Sequence, residues 1–343
     1  MMIVRATLVG ALCLLPMAGS AGAQSPDPVS PPACASRTDV LGISRIVEID
    51  TAAGPRFGHQ YKEPDFLEDG EVVLTFDDGP LRRYTLPILE ALDAHCTKAT
   101  FFAVGRMAIA DPETLKDVAR RGHTIGSHTW SHLKLKLTTA ANATNEIELG
   151  LSAVSVALGT PPAPLFRFPY LADTTGTLAY LAERGMGVVG LDIDSRDFRT
   201  RNPGTVLRTT LAALEAQRKG IILFHDIQPS TAGAVASLLS ELKARGYKVV
   251  HMVAKSPATT LPQYDAVAEK ALKARLVAAQ SNPLATRVVT GPAAGQDAEG
   301  LPWLDGVPSA SAAPVQRSTT RRPRRPATAN SPEDRWQLKS FGN

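Results

Sequence analysis

Two adjacent carboxylates could do chemistry in this chain. Asp77 and Asp78 lie in the stretch TFDDGP at residues 75–80, directly after an apolar run at residues 72–74. At the end of a strand such a pair can divide the work, because one carboxylate can bind a cation while the other moves a proton, and the bound metal helps to keep both ionised. An isolated Asp-Asp-Gly-Pro stretch is more typical of a solvated turn. Other polar groups elsewhere in the chain are therefore needed to distinguish a catalytic site from a solvated turn.

Two histidines supply such groups. His128 and His132 stand four residues apart, a spacing that places two imidazoles on one side of a helical turn. Together with an aspartate at a strand end they make three protein ligands, which leaves positions open for water and substrate. The set predicts a catalytic site for a divalent metal, most simply Zn²⁺, although the same ligands accept Co²⁺ or Ni²⁺.

The elements that must position these residues follow an α/β rhythm. Strand-like runs alternate with helix-like segments and recur at residues 71–77, 99–104, 124–128, 165–169, 187–193, 221–225 and 247–252. This alternation predicts a (β/α) barrel with seven strands, and an open doubly wound sheet is the competing architecture. Polar stretches end five of these strands, at residues 77–78, 127–132, 167–170, 192–197 and 225–226. In a barrel they converge on one mouth, where that kind of fold builds its active sites.

The chain divides by composition into segments of different kinds. We expect a signal peptide at 1–23, a linker and N-terminal extension at 24–70, the barrel at 71–255, a packing helix at 256–280 and a disordered basic tail at 281–343. The early apolar run is too short to span a bilayer comfortably, so we expect cleavage and an exported protein, periplasmic or secreted, without a transmembrane segment. A retained anchor is the alternative. We further expect a monomer.

Charge and cysteine content narrow the function further. The chain has 37 Lys and Arg against 33 Asp and Glu, and three of the four excess positive charges lie after residue 280. The barrel is therefore close to neutral, and nucleic-acid binding has no support from charge. The basic tail could contact an anionic envelope polymer or could simply be solvated. In an oxidising compartment Cys34 and Cys96 could form a disulfide, and two separate thiols are the alternative.

Taken in order, the motifs resemble those of the polysaccharide deacetylases, which carry the NodB-homology domain and form carbohydrate esterase family four. They are TFDDGP at 75–80, Ser127-His128 with His132, RFPY at 167–170, residues 192–198 and LFHD at 223–226. The resemblance spans roughly residues 71–252. It implies a distorted seven-stranded barrel that uses a metal to remove N-acetyl, or O-acetyl, groups from an acetylated glycan.

The resemblance also implies a role for each matching residue. The metal ligands would be Asp78, His128 and His132. Asp77 would be the general base toward a metal-activated water, and His225 the general acid that protonates the leaving amine.

Four further residues would support this reaction. The resemblance implies that Arg167 orients Asp77 and that Asp197 is a partner of Arg167. It also implies that Tyr170 offers a backbone N–H to the oxyanion. Trp130 and Tyr170 could line a sugar subsite, because aromatic faces stack on pyranose rings, although Trp130 could equally serve packing.

One departure and two other functions stay open. The fourth motif of the family usually ends in Asp-Trp, whereas this chain has Asp197-Phe198, which keeps an apolar wall but loses the indole N–H. The same barrel could act on an amide that is not a sugar, since the catalytic groups specify acyl cleavage and not the rest of the substrate. It could also be an inactive glycan-binding protein, but the intact base and acid argue against that.

Overall fold

Parallel strands and flanking helices make up the part of the chain that the computed structural model describes, which is residue 34, residues 37–61 and residues 65–281. The predicted signal peptide, the proline-rich linker up to residue 33 and the basic tail after residue 281 lie outside these residues. The strands are β1 Arg45–Ile49, β2 Arg56–Phe57, β3 Glu71–Asp77, β4 Thr100–Ala103, β5 Thr124–Ser127, β6 Leu165–Phe166, β7 Gly187–Val189, β8 Ile193–Asp194, β9 Gly220–His225 and β10 Lys248–Ala254.

The helices lie mostly between successive strands. They are α1 Arg82–Ala94, α2 Gly105–Ala110, α3 Pro112–Arg120, α4 Ala140–Leu158, α5 Thr175–Glu183, α6 Pro203–Gln217, α7 Pro229–Ala244 and α8 Pro262–Ser281. Short 3₁₀ turns occur at Leu135–Leu137, Pro169–Leu171 and Asp197–Arg199. Among these described helices, none combines the length and the apolar character that crossing a bilayer requires.

The strands form one parallel sheet that curves back on itself around β3. Along one edge β3 pairs with β9 from Val72 to Asp77, and along the other it pairs with β4 from Thr75 to Asp77. The order continues through β5, β6 and β7 on the β4 side and through β8 on the β9 side. The predicted parallel α/β fold is confirmed. Beyond β7 the order ends in β2, whose Arg56 and Phe57 pair with Val188 and Val189. β7 and β8 belong to one short segment, residues 187–194.

The strand predicted at 247–252 is present and joins the same sheet. It forms β10, which pairs with β1 along its length but with only the first two residues of β3. It cannot stand between β9 and β3, because those two strands are hydrogen-bonded directly to each other. The run predicted at 187–193 is divided into two short strands, β7 and β8.

Alternation along β3 brings the reactive end of the strand into the interior. Its even-numbered apolar residues pack against α1, α3, α6 and α7. Val73 packs instead with Phe102 and Ile221 on the inner side of the sheet. Because successive side chains of a strand point to opposite faces, Thr75 and Asp77 also face inward. Each fully buried Leu, Ile or Phe of the two layers contributes roughly 1.5–3 kcal/mol of transfer free energy, which keeps this register fixed.

A disulfide ties the N-terminal extension to the barrel. Cys34 and Cys96 are bonded to each other, with their Cα atoms 5.6 Å apart. Of the two alternatives that the sequence leaves open, the structure has the disulfide. Cys96 lies between α1 and β4, so the link anchors the start of the described chain to the loop after α1.

Candidate active site

Asp77, at the end of β3, is buried in an ion pair with Arg167. Arg167 Nη1 donates to Asp77 Oδ1 at 2.8 Å and to Thr75 Oγ1 at 2.7 Å. Its Nε donates to the carbonyl oxygen of Val189 at 2.9 Å, and its Nη2 donates to that of Gly190 at 2.6 Å. The guanidinium is fully buried, so these four acceptors replace its hydration. Asp77 Oδ1 is thereby held by Arg167, the residue to which the resemblance assigns the role of orienting Asp77.

Asp78, His128 and His132 bring three possible ligand atoms to one point. Those atoms lie within 4.8 Å of one another. Asp78 Oδ1 is 3.3 Å from His132 Nε2 and 3.5 Å from His128 Nε2, and this buried oxygen has no hydrogen-bond partner among the described residues. One carboxylate oxygen and two imidazole nitrogens form a donor set that suits Zn²⁺ and related cations. The residues therefore fit the divalent metal that the sequence predicts.

The charge states of the three residues also suit a metal. Burial lowers the pKa of His132 to about 4 against the attraction of Asp78, so its ring is neutral at neutral pH. Burial alone would raise the pKa of Asp78, but His128, His225 and His132 hold it well below its usual range. His128 Nδ1 lies 2.7 Å from the carbonyl oxygen of Arg167, which can only accept, so the proton sits on Nδ1 and Nε2 is aimed at Asp78.

The loop after β5 brings the two histidines together. It is irregular, with left-handed backbone at Thr129 and His132, where φ is 67° and 62°. The His132 N–H donates to Thr129 Oγ1 at 3.0 Å, and Glu146 of α4 accepts the N–H and the hydroxyl of Ser131 at 2.8 and 2.7 Å. A side chain at Gly150 would press on this loop, since a Cβ there would lie 2.4 Å from the carbonyl carbon of Thr129. The predicted helical turn is wrong, because these contacts hold a tighter, partly left-handed path.

His225 ends β9 directly beside Asp77, with which it is in register. Its Nδ1 is 2.7 Å from Asp197 Oδ1, and its backbone N–H donates to Asp197 Oδ2 at 2.7 Å. The hydroxyl of Thr231 donates to the same Oδ2. Asp197 is fully buried, so the carboxylate is held by α7 and β9 together.

The carboxylates around His225 favour its charged form. Burial is the largest single influence and opposes the imidazolium. The attraction and hydrogen bond of Asp197, with the charges of Asp78 and Asp77, outweigh burial and raise the pKa of His225 to about 10. The ring is therefore cationic at neutral pH, as a general acid toward a leaving amine must be.

The expected pairing of Asp197 with Arg167 is wrong. Arg167 directs its donors toward β3 and the segment after β7. Asp197 begins the 3₁₀ turn that follows β8, which places its carboxylate on the β9 side, against His225. Asp77 therefore pairs with Arg167, and Asp197 pairs with the cationic His225.

Of the two aromatic residues predicted to contact sugar, only one lies at the surface. Tyr170 is 63% exposed, and its ring centroid is 4.7 Å from that of His132. Trp130 is 5% exposed, packs against Gly105 and lies under the guanidinium of Arg106. The assignment of Trp130 to a sugar subsite is therefore wrong, because its indole fills space between α2 and α4. The role of the Tyr170 N–H stays a prediction.

Several residues that build the site were not singled out from the sequence. Thr75 could have been found, because it lies two residues before Asp77 on the same strand face. Phe198, by contrast, was noted in the sequence as the replacement for the family's tryptophan; it is half-exposed and its ring is 5.8 Å from that of His225. Glu146 and Thr231 gave no signal, since both lie on helices whose polar residues read as ordinary surface.

Known proteins similar to this chain act on polysaccharides. Residues 67–189 match a family model described as polysaccharide deacetylase. A peptidoglycan-N-acetylglucosamine deacetylase of Bacillus cereus is 30% identical over 210 residues, which cover 59% of this chain and 74% of that protein. A peptidoglycan-N-acetylglucosamine deacetylase of Listeria monocytogenes is 35% identical over 187 residues, which cover 54% of this chain.

A solved structure agrees with these relatives. A peptidoglycan deacetylase of Bdellovibrio bacteriovorus is 38% identical with a TM-score of 0.58, over 64% of this chain and 62% of that chain. The matched part of this chain spans only 39% of the Listeria protein, so that protein contains parts that have no counterpart in the match.

Proposed function

Because this chain belongs to the polysaccharide deacetylase family, we propose that it is a metal-dependent hydrolase that removes acetyl groups from an amino-sugar polymer. One observation carries the proposal. The donor atoms of Asp78, His128 and His132 lie within 4.8 Å of one another, and the buried pairs Asp77 with Arg167 and His225 with Asp197 adjoin them at the ends of neighbouring strands. A protein that only binds glycan has no need of a base and an acid beside one metal site.

The base of the proposed reaction is Asp77. A divalent cation held by Asp78, His128 and His132, most simply Zn²⁺, would supply a Lewis acid for the acetyl carbonyl and lower the pKa of water. Asp77 Oδ1 is engaged by Arg167, whereas Oδ2 lies 3.9 Å from His128 Nε2 and so faces the ligand cluster. The proton of the attacking water therefore goes to Oδ2.

The acid of the proposed reaction is His225. With Nδ1 held by Asp197, the proton that can be given away lies on Nε2. An amine leaves as a neutral group only if its nitrogen is protonated, and a cationic imidazole provides that proton at neutral pH. We assign the backbone N–H of Tyr170 to the oxyanion, where a fixed donor stabilises the charge that develops on the acetyl oxygen.

We also propose that the protein works outside the cytoplasm. The disulfide between Cys34 and Cys96 supports an oxidising compartment. The predicted signal peptide at residues 1–23 is consistent with export, and the relatives above are named for peptidoglycan, a polymer of that compartment. Acetylated envelope glycan is accordingly the substrate class that we propose.

Acetate release from a small glycan panel tests the proposal. The wild-type protein with Zn²⁺ is incubated with peptidoglycan, chitooligosaccharide and acetylated xylan, beside Asp77→Asn, His225→Ala and His128→Ala, and bound metal is measured for each protein. We expect Asp77→Asn and His225→Ala to lose at least about 100-fold in kcat with metal retained, and His128→Ala to lose the metal. Release of acetate by Asp77→Asn at the wild-type rate would contradict the mechanism. No release from any glycan by the wild type would contradict the function.

A further inference from the structure

Asp226 is a buried carboxylate that the proposed reaction does not use. It follows His225 at the end of β9, and only 1% of its surface is exposed. Its Oδ2 accepts a hydrogen bond of 2.6 Å from the hydroxyl of Thr85 in α1, while its Oδ1 has no hydrogen-bond partner among the described residues. A carboxylate in such surroundings is costly to bury, so the position invites a physical reason.

The carboxylate of Asp226 lies against the turn that contains the two catalytic-site aspartates. Its backbone N–H donates to the carbonyl oxygen of Asp77 at 3.1 Å. Gly79 fits only because it lacks a side chain, since a Cβ there would lie 2.0 Å from Asp226 Oδ2. Asp226 therefore touches the turn on both sides of Asp78.

The conformation of that turn separates the two aspartates. Asp78 has a left-handed backbone with φ of 77°, which is unfavourable for a residue other than glycine. The Asp78 N–H donates to the carbonyl oxygen of Phe102 at 3.2 Å, and the Gly79 carbonyl oxygen accepts from Val104 at 3.1 Å. The turn sends the side chain of Asp77 to Arg167 and that of Asp78 to the histidines. Only a well-anchored backbone keeps such a conformation.

We propose that Asp226 is a positioning residue for metal binding: it clamps Gly79 and thereby holds Asp78 in the left-handed turn that presents its Oδ1 to His128 and His132. The inference rests on the proposed metal site. It explains why Asp226 packs against Gly79, a position that has no room for a side chain. Through Thr85, helix α1 also supports the ligand cluster.

Metal affinity is the measurement that tests this role. The full-length Asp226→Asn variant keeps the size of the side chain but places an amide NH₂ group where the carboxylate accepts hydrogen bonds. We expect its Kd for Zn²⁺, measured by competition with a chromophoric chelator, to rise about 10- to 100-fold. Because Asp77 and His225 are unchanged, excess Zn²⁺ should restore most of the lost activity.

Asp192→Asn is the matched control. Asp192 is also largely buried, its Oδ2 accepts the N–H of Ile221 at 2.8 Å, and its side chain abuts Gly220 at the opposite end of β9. We expect this variant to lose thermal stability but to keep its Kd for Zn²⁺ within about twofold of the wild-type value. A twofold change is much smaller than the tenfold change that corresponds to about 1.4 kcal/mol. An equal rise in Kd for both variants would show a general loss of packing and would overturn the proposal.

Two further results complete the test. If Asp226→Asn does not fold, Thr85→Val removes the hydroxyl that holds Oδ2 and that also accepts the N–H of Leu81, and a rise in Kd of at least threefold is expected. A folded Asp226→Asn protein, or failing that Thr85→Val, with wild-type Kd would overturn the inference and leave the proposed function standing. A wild-type protein that binds no Zn²⁺ would instead overturn the proposed function together with the inference.

Discussion

The substitution Asp197→Asn should move the alkaline limit of activity, because Asp197 is the chief group that keeps His225 protonated. In the wild type the pKa of His225 is about 10. Without the carboxylate charge, burial becomes dominant and we expect the pKa to fall to about 6.5 or lower, the value of a free imidazole. At pH 8 the protonated fraction of His225 would then fall from nearly complete to about 3%, which corresponds to a loss of about 30-fold in kcat.

The assay is the pH dependence of kcat for acetate release between about pH 5 and 10, with Zn²⁺ saturating and both proteins in the same buffer. A cation bound at Asp78 offsets one of the charges that support His225 and so lowers the pKa of both proteins alike. The prediction therefore concerns the difference between the two proteins: the alkaline limb of Asp197→Asn should lie about three pH units below that of the wild type. The amount of bound metal and the thermal midpoint are measured for each variant, so that unfolding is separated from the effect on the proton.

Thr231→Val provides the control for this experiment. The valine removes the hydroxyl that donates to Asp197 Oδ2 but leaves the carboxylate charge in place. Its alkaline limb should move by less than about one pH unit, since the charge beside His225 is unchanged. If Asp197→Asn is folded, binds metal and keeps the wild-type limb, the assignment of His225 as an acid held protonated by Asp197 is refuted.

Three more predictions concern stability and substrate binding. Burial lowers the pKa of His251 to about 4, so below pH 6.5 the unfolded chain binds a proton at this position more readily than the folded chain does. We therefore expect the free energy of unfolding to fall by roughly 3 kcal/mol between pH 6.5 and 4. Urea titrations in which His251→Asn loses as much stability as the wild type over this range would contradict the prediction. Cys34→Ser with Cys96→Ser should lower the free energy of unfolding by about 2–4 kcal/mol, measured against the oxidised wild type, and equal stability would argue against a structural disulfide. Phe198→Ala should raise KM for glycan about threefold to tenfold with kcat nearly unchanged, whereas Ile46→Ala, on the exposed strand β1, should change neither.

Residues at the ends of parallel strands could be predicted from the sequence, because strand direction alone brings them to one edge. Asp77 and His225 illustrate this, since both end apolar runs and the structure pairs them in register. The inward direction of Asp77 also follows from the alternation along β3. The composition of the curved sheet was harder to predict. The run at 247–252 has the same apolar character as the others, and only the strand pairings show that it lies between β1 and the start of β3.

Contacts made by loop residues could not be predicted in the same way. Asp197 follows Arg196, whose backbone is left-handed with φ of 53°, and no sequence pattern signals such a residue when it is not glycine. The left-handed turn at Arg196 directs the carboxylate of Asp197 toward His225 and away from Arg167. Trp130 shows the same limit, because polar neighbours suggest a surface position while the loop folds the indole beneath Gly105. Side-chain direction in irregular segments depends on tertiary contacts more than on residue type.

The hydrogen bonds of Arg167 have a consequence for the choice of an inactive variant. Val189 is the last residue of β7, and β8 begins only at Ile193, so the carbonyl oxygens of Val189 and Gly190 lie in the segment that joins these two strands. The guanidinium of Arg167 thus ties this segment to β3 and also orients the base. Loss of Arg167 should lower stability and turnover together, whereas Asp77→Asn removes the base and leaves the hydrogen bonds to Val189 and Gly190 in place. A stable, glycan-trapping form of the protein is therefore to be sought at Asp77.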